Sequence, residues 1–204
     1  MNKEYHLYQF NEHLENSISH IIEKVGMPKT VIEIGAYQGY FTFNMTHTAV
    51  TKHLDYKHYV IDPYDSSLDL NENKISEAYQ YFLHNLKISP HAHHIEHIRK
   101  RSRHGLIDLI NRGVKADLIY VDGDHRAREV LIDMVLGFQL LNIGGVMLCD
   151  DSVSWCYTTK DRDKPLDFSP RLAVDSFIQC NWSIVEVMVL PNGYQSAFIK
   201  RGEG

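Results

Sequence analysis

The spacing of apolar residues along the chain alternates between a strand-like and a helical pattern. Short runs rich in β-branched and aromatic residues predict five strands, at 30–34, 57–61, 94–98, 117–121 and 146–149. Apolar residues three or four positions apart predict helices near 14–25, 40–51, 75–86, 102–112 and 130–141. Asn142 and Gly144-Gly145 are expected to end the last of these helices before the fifth strand begins.

The end of the chain carries the pattern of a further helix and a hairpin. Ser169 and Pro170 form an N-cap and N1 pair for a helix through Ile178. Two strands follow, at 184–190 and 194–200, around a Pro-Asn-Gly turn that makes one of them antiparallel. The whole pattern predicts an α/β fold. We expect a doubly wound, Rossmann-like sheet, mostly parallel with an antiparallel C-terminal hairpin strand, and helices on both faces.

Composition and charge narrow the class of protein. The 204 residues contain no repeat, low-complexity tract or linker, so we expect a single domain over 1–204. Cys149, Cys156 and Cys180 form no CxxC pair, which favours a reducing compartment, and the N-terminus lacks the apolar core of a signal peptide. No apolar run approaches the ~18 residues of a membrane span. The formal net charge is -5. These features predict a cytoplasmic protein with neither a membrane nor a nucleic acid as partner.

Polar residues follow four of the predicted strands at the point where each strand ends. They are Gly35 and Gly39 after the first strand, Asp62 after the second, Asp122 and Asp124 after the fourth, and Asp150 and Asp151 after the fifth. Open α/β sheets bind ligands at the carboxyl ends of their strands. Gly and Asp are also ordinary turn residues, so each instance alone would indicate only a turn. Their coincidence on four strands predicts a ligand site.

The first strand and its turn have the pattern Glu33-x-Gly35-x-x-x-Gly39. The backbone of a glycine turn can approach a cofactor closely, and the carboxylate of Asp62, one strand over, can accept hydrogen bonds from both hydroxyls of a ribose. We therefore predict an adenosine cofactor. A dinucleotide is disfavoured, because Tyr37 occupies the middle position of the turn and the GxGxxG pattern is absent. The alternative is a glycine needed only for tight strand-to-helix packing.

Four carboxylates, at 122, 124, 150 and 151, are expected to converge on neighbouring strand ends. Like charges would raise one another's pKa there unless a cation is present. Oxygen ligands indicate Mg²⁺, Mn²⁺ or Ca²⁺ rather than zinc. Adjacent side chains on an extended strand point to opposite faces, so Asp150 and Asp151 converge only if the strand has already ended. Asp151 could instead cap the next segment.

Three other features are weaker signals. The histidines at 91–97 indicate a solvated face rather than a zinc site. The basic run at 99–103 indicates an exposed helix start. The segment 152–169, with Trp155 and Tyr157, shows little periodicity, and loops of this length with an aromatic pair are typical of lids.

Four segments resemble, in order and spacing, the class I S-adenosylmethionine-dependent methyltransferases: VIEIGAYQGYF at 31–41, YVIDP at 59–63, DLIYVDGDH at 117–125 and GGVMLCDD at 144–151. The last two also resemble the small-molecule O-methyltransferases that use a divalent metal, including the macrolide and aminocoumarin sugar enzymes. The resemblance divides the chain into an N-terminal helix (1–27), a cofactor-binding core (28–151), the lid segment (152–169) and a closing helix and hairpin (170–204).

This resemblance implies S-adenosylmethionine as cofactor and Mg²⁺ or another divalent cation as a second one. The implied cofactor-binding residues are Glu33, Gly35, Ala36, Tyr37, Gly39, Asp62, Ser102 and Asp122. Gly35 and its neighbours would line the methionine part, Asp62 would hold the ribose, and Ser102 would border the adenine. The implied metal ligands are Asp122, Asp150 and Asp151. The sequence departs from the family pattern at Tyr37, which replaces a small residue, and at His125, where the sugar enzymes carry an apolar one.

The resulting hypothesis is methyl transfer to a hydroxyl of a small molecule with vicinal oxygens, such as a sugar or a catechol. The general base would be Asp124, the first choice, or His125. One alternative is a metal-independent methyltransferase whose carboxylates hydrogen-bond an amine or carboxylate acceptor. Another is a non-catalytic protein that binds S-adenosylmethionine. The state of assembly stays open between a monomer and a homo-oligomer.

Overall fold

The computed structural model of the protein describes residues 11–53, 55–65, 72–152, 169–191 and 193–203. Its strands are β1 (Thr30–Ile34), β2 (Lys57–Ile61), β3 (Ile95–Ile98), β4 (Ala116–Val121), β5 (Leu141–Cys149), β6 (Val185–Met188) and β7 (Ser196–Lys200). Its α-helices are α1 (Glu12–Val25), α2 (Tyr40–Val50), α3 (Glu72–Ile88), α4 (Ser102–Asn111), α5 (Ala127–Leu140) and α6 (Pro170–Cys180). A short 3₁₀ helix, Ala92–His94, leads into β3.

The seven described strands lie in one sheet, in the order β3-β2-β1-β4-β5-β7-β6. Strands β1 to β5 pair in parallel, whereas β7 runs antiparallel to both of its neighbours, β5 and β6. The predicted fold class, a mostly parallel Rossmann-like sheet with an antiparallel hairpin strand, is confirmed. The strand order reverses between β1 and β4, and open α/β sheets bind ligands at such a point.

Alternate residues of the central strands enter two different apolar layers. Ile32 and Ile119 pack into the layer that contains the buried faces of α4, α5 and α6. Val31 and Leu118 pack on the other face, against α1 and α2. This division follows from the period of two along a strand. It also places Tyr120, two residues after Leu118, on the α1 and α2 side of the sheet.

The fifth strand begins earlier than its sequence predicts. Helix α5 ends at Leu140, and Leu141 already has extended backbone angles and pairs with Ala116. The next pair along the ladder is Leu118 with Val146, so the residues between form a bulge, in which Gly144 has a φ of 86°. The prediction that Asn142 and the glycines end the helix was therefore wrong, because glycine also fits the left-handed backbone of a bulge.

The closing helix begins as predicted, with Ser169 at the N-cap and Pro170 at the first helical position, and it extends beyond Ile178 to Cys180. Apart from Ser152 and Ser169, the segment predicted to be a lid, with Trp155 and Tyr157, lies outside the described residues. Among the helices that the structure describes, none has the length and apolar character needed to cross a membrane.

Candidate functional site

Three backbone hydrogen bonds bring the ends of the central strands together. The Gly35 N–H donates to the carbonyl of Ile61 (2.9 Å), and the Asp122 N–H donates to the carbonyl of Ile34 (2.8 Å). The Asp150 N–H donates to the carbonyl of Val121 (2.9 Å). The polar residues predicted at the strand ends therefore meet at one edge of the sheet.

The glycine turn after β1 is built on left-handed backbone. Gly35, Tyr37 and Gly39 have φ values of 85°, 51° and 88°. A Cβ at position 35 would collide with the main chain of Asp122 and Gly123, so only glycine fits there. At Gly39 a Cβ would strike the rings of Phe43 and Phe82, which gives this glycine a packing role at the start of α2.

The carboxylate of Asp62 holds the same turn from the end of β2. Its Oδ2 accepts hydrogen bonds from the N–H groups of Ala36 (2.8 Å) and Tyr37 (3.1 Å), and its Oδ1 accepts one from the N–H of Tyr64 (2.8 Å). The hydroxyl of Tyr64 donates in turn to the carbonyl of Tyr37 (2.7 Å). These contacts fix the left-handed Tyr37, a role that the sequence did not suggest for Asp62.

A crevice of about 150 Å³ lies between α1, the glycine turn and the end of β4. Its lining includes five of the residues that the resemblance assigned to the cofactor: Glu33, Gly35, Ala36, Tyr37 and Asp122. Gly39, Asp62 and Ser102 do not line it. Helix α1 closes the crevice with Asn11 and Leu14. No motif pointed to these two residues, because their place depends on how α1 packs against the sheet.

Glu33 forms the buried floor of this crevice, with 1% of the residue exposed. The hydroxyl of Thr42 on α2 donates to its Oε2 (2.5 Å), and Nε2 of His58 on β2 lies 3.2 Å from the same oxygen. Asp122 stands beside it in the lining, so two carboxylates face the crevice. A cationic ligand group would complement them.

Tyr120 connects the carboxylates at the ends of β4 and β5. We call these carboxylates, Asp122, Asp150 and Asp151, the acidic edge. Its buried hydroxyl lies 2.5 Å from Oδ2 of Asp150 and 3.1 Å from Oδ2 of Asp122, within hydrogen-bond distance of both. Burial raises the pKa of Asp122 well above its usual range, and the charges of Asp150 and Asp151 raise it further. Burial likewise raises the pKa of Asp150. At this edge, burial and mutual repulsion therefore disfavour the ionised forms of Asp122 and Asp150.

The two consecutive aspartates after β5 have different surroundings. Oδ1 of Asp150 accepts hydrogen bonds from the Asp151 N–H (2.9 Å) and from Nε2 of Gln195 (3.0 Å). Asp151 has a φ of 49°, so the chain has left the strand at this point. This is the condition under which both side chains can lie on the same side of the sheet edge. The Asp151 carboxylate lies 3.1 Å from Nε2 of His125.

Asp122, His125 and Asp151 form a group that could hold a metal ion, since one ligand atom from each lies within 4.8 Å of the others. His125 thus stands in this group where the sequence-based set has Asp150. Burial would lower the pKa of His125, but its contact with Asp151 and the charges of Asp150 and Asp124 outweigh this and raise it.

Asp124, the residue preferred as base from the sequence, is engaged by Arg126. It accepts hydrogen bonds from the backbone N–H and from Nε of Arg126, each at 2.9 Å. Burial would raise the pKa of Asp124, but the contacts with Arg126 outweigh it and lower the pKa. A carboxylate held in this way is a weaker proton acceptor.

Comparison with known proteins places residues 32–152 in a family described as "Methyltransferase domain". The chain is also similar to the uncharacterised protein R132 of Acanthamoeba polyphaga mimivirus, at 24% identity over 151 residues. This match covers 71% of the present chain, which spans only 60% of the length of the viral relative.

Two solved structures share the fold. A Klebsiella pneumoniae protein provisionally described as an O-methyltransferase superposes with a TM-score of 0.66 at 13% identity, covering 97% of this chain and 84% of that one. The O-methyltransferase TomG of Streptomyces achromogenes, involved in tomaymycin synthesis and solved in complex with S-adenosylmethionine, gives 0.63 at 16% identity, covering 93% and 80%. At such identities the likeness concerns the fold alone.

Proposed function

The chain belongs to the methyltransferase domain family, and from this premise we propose that it transfers the methyl group of S-adenosylmethionine to a hydroxyl of a small molecule, assisted by a divalent cation. One observation carries the proposal: the crevice floored by Glu33 reaches Asp122, which also belongs to the group with His125 and Asp151. A cofactor crevice and a cation-binding group therefore share one residue, and the reacting atoms would meet beside it.

The residues of the crevice fit the amino-acid end of the cofactor. That end carries a carboxylate beside its ammonium and sulfonium groups, and the buried carboxylate of Glu33, with Asp122 next to it in the lining, would face the cationic groups. Gly35 leaves the backbone free of a side chain at the turn. When bound, the cofactor supplies an electrophilic methyl group. An ionised carboxylate offers about four lone-pair sites, so Asp62 can hold the turn and still accept a ribose hydroxyl.

The carboxylates at the end of β4 and β5 fit a cation. Burial and mutual repulsion raise the pKa of Asp122, and a bound cation would relieve both effects. The set predicted from the sequence, Asp122, Asp150 and Asp151, offers oxygen alone and suits Mg²⁺. A set of Asp122, His125 and Asp151 adds a nitrogen ligand, which favours a transition metal. The contacts of Asp150 with Tyr120 and Gln195 support the second set.

Where the cation is held by aspartates alone, or where no cation takes part, His125 is not a ligand and is the residue we propose as general base. Asp124 is held by Arg126 with a lowered pKa, whereas His125 has Asp151 beside it to orient the ring and to stabilise its protonated form. Because Nε2 faces Asp151, Nδ1 would accept the proton of the acceptor hydroxyl. The interaction between Asp124 and Arg126 thus moves our preference from Asp124 to His125.

The same contact supports a second candidate, methyl transfer without a metal. A histidine 3.1 Å from a carboxylate already has the arrangement of a base with its orienting group. In that case the acidic edge would bind the acceptor through hydrogen bonds. A non-catalytic protein that binds the cofactor is the remaining alternative. The identity of the acceptor, a cytoplasmic location, the lack of nucleic-acid and membrane partners, and homo-oligomer formation stay predictions.

The test combines calorimetry with a transfer assay. S-adenosylhomocysteine should bind the purified chain, whereas NAD should not. Radiolabelled methyl transfer to catechols, sugars and hydroxylated aromatic compounds should then be followed with Mg²⁺, with Mn²⁺ and with EDTA. Loss of transfer in EDTA supports the cation, and unchanged transfer supports the metal-independent candidate. Tight binding without transfer to any acceptor supports the non-catalytic alternative, and binding of NAD in place of S-adenosylhomocysteine contradicts the proposal.

A further inference from the structure

A group of buried polar side chains lies directly behind Glu33. His58 on β2 stands at its centre, with Nε2 3.2 Å from Oε2 of Glu33, within ion-pair distance but without hydrogen-bond geometry. Its Nδ1 lies within hydrogen-bond distance of the hydroxyls of Thr46 (3.2 Å) and Tyr56 (3.1 Å). Thr42 donates to the same oxygen of Glu33. We call these five residues the His58 network.

The network lies inside an apolar layer, which makes its composition informative. His58 and Glu33 are 0% and 1% exposed, and the ring of Phe41 packs edge-on against that of His58. Burying a carboxylate and an imidazole is costly unless each has partners, and apolar residues of similar size would serve packing alone at least as well. The network therefore has a use that packing does not explain.

Glu33 connects the network to the ligand crevice, because it belongs to the crevice lining. The contacts of Glu33 with Thr42 and with His58 both involve Oε2. Fixing one oxygen of a carboxylate fixes the direction of the other. Oε1 is then the oxygen available to a ligand group in the crevice.

We propose that His58 is a positioning residue, which holds Glu33 so that its carboxylate receives the ammonium group of the cofactor. The inference rests on the proposed function, since it takes S-adenosylmethionine as the occupant of the crevice. His58 lies two strands from the acidic edge. Its effect should be confined to the amino-acid end of the ligand. The sheet order explains the distance, because β1 separates β2 from β4.

The test compares two probes by calorimetry, S-adenosylhomocysteine and 5′-methylthioadenosine, which lacks the amino-acid group. His58→Leu removes the imidazole that lies 3.2 Å from Oε2 of Glu33, so it should weaken binding of the first by roughly tenfold and leave the second nearly unchanged. His58→Gln keeps a polar group of similar reach beside Oε2 of Glu33 and should restore most of the affinity. Thr46→Val is the matched control, because Thr46 contacts His58 only at Nδ1, on the side away from Glu33.

Equal weakening of both probes, or no weakening of either, would overturn the inference while leaving the proposed function in place. Failure of the wild-type chain to bind S-adenosylhomocysteine would overturn both. Where His58→Leu does not fold, Thr42→Val provides the same comparison, since it removes the other partner of Oε2. It should then weaken S-adenosylhomocysteine selectively, and equal effects on the two probes would again contradict the role of Glu33.

Discussion

In the half of the site built on β1 and β2, each carboxylate has donors of its own. Asp62 accepts three backbone N–H groups, and Glu33 accepts the hydroxyl of Thr42, with Nε2 of His58 3.2 Å away. In the half built on β4 and β5, Asp122 shares the hydroxyl of Tyr120 with Asp150, and Asp150 also accepts from the Asp151 N–H and from Gln195. The carboxylates of the first half have fixed partners, whereas burial and neighbouring charges disfavour the ionised form of Asp122 in the second half, an effect that a proton or a cation would relieve.

This difference indicates that the two halves of the site have different roles in binding. Fixed donors give the first half a defined shape, which suits recognition of one invariant cofactor. Raised pKa values make the second half ready to take up a proton or, as proposed above, a cation. The two halves touch at Gly35, whose backbone packs against Asp122 and Gly123. Variants at this contact and on either side of it can therefore separate the two roles.

The largest effect is expected where the halves touch. Gly35→Ala places a methyl group against the main chain of Asp122 and requires a left-handed alanine, so the free energy of unfolding should fall by about 3 to 5 kcal/mol. S-adenosylhomocysteine binding should be lost as well. Gly113→Ala is the control, because Gly113 also has a positive φ but has open space around it, and it should cost about 1 kcal/mol. Equal urea denaturation curves for the two variants would contradict the contact.

The next prediction concerns the β4 and β5 half and its base. His125→Asn should lower the rate of methyl transfer by roughly 10² to 10⁴, the usual range for a positioned general base. Asp124→Asn should lower it much less, since Asp124 is engaged by Arg126, although it should reduce thermal stability. Both variants should bind S-adenosylhomocysteine nearly as the wild type does. Single-turnover assays decide, and a larger loss in Asp124→Asn would return the base to Asp124.

A smaller effect is expected from the β1 and β2 half. Asp62→Asn removes a charged acceptor from the glycine turn and should weaken binding of 5′-methylthioadenosine by about tenfold. Comparison with the 2′-deoxy analogue separates two causes. If Asp62 contacts the ribose, the variant loses the ability to discriminate between these ligands. If Asp62 acts only through the turn, the variant still discriminates between the two ligands. Calorimetry measures the affinity for each ligand.

The sequence predicted the elements whose signals are local. The β-branched run at Thr30–Ile34 gave the exact bounds of β1, and the glycines that follow it marked the turn. The early start of β5 was missed, because a bulge and a helix end use the same glycine signal. The succession of strands and helices was enough to predict that these carboxylates lie at one edge of the sheet, because parallel strands have their carboxyl ends at the same edge.

The partners of these carboxylates could not be predicted in the same way. The bridge by Tyr120 depends on the register of β4 against β5, and the pairing of His125 with Asp151 depends on a left-handed backbone at Asp151. His58 lies on β2, which is next to the strand that carries Glu33, and its position in the sequence indicates only an ordinary strand residue. Such contacts join residues far apart in the chain, and one sequence carries no signal for them.

The smallest effect concerns a buried carboxylate that contrasts with Glu33. Asp133 on α5 is 1% exposed, and its Oδ1 has no hydrogen-bond partner among the described residues. Burial raises its pKa to about 7, a hydrogen bond from Ser102 opposes the shift, and the charge of Glu129 adds to it. The folded chain therefore holds a proton that the unfolded chain has released between about pH 4 and pH 7.

The contribution of Asp133 to the free energy of unfolding must fall as the pH rises from about 4 to about 7, because the folded state binds more protons than the unfolded state in this range. At higher pH the contribution should stay constant. Between pH 6 and pH 8 the wild type should lose about 1 kcal/mol relative to Asp133→Asn, which cannot ionise at this position. Urea denaturation of both proteins at several pH values measures the difference. Parallel curves would mean that Asp133 has partners as effective as those of Glu33, and the contrast between the two buried carboxylates would be lost.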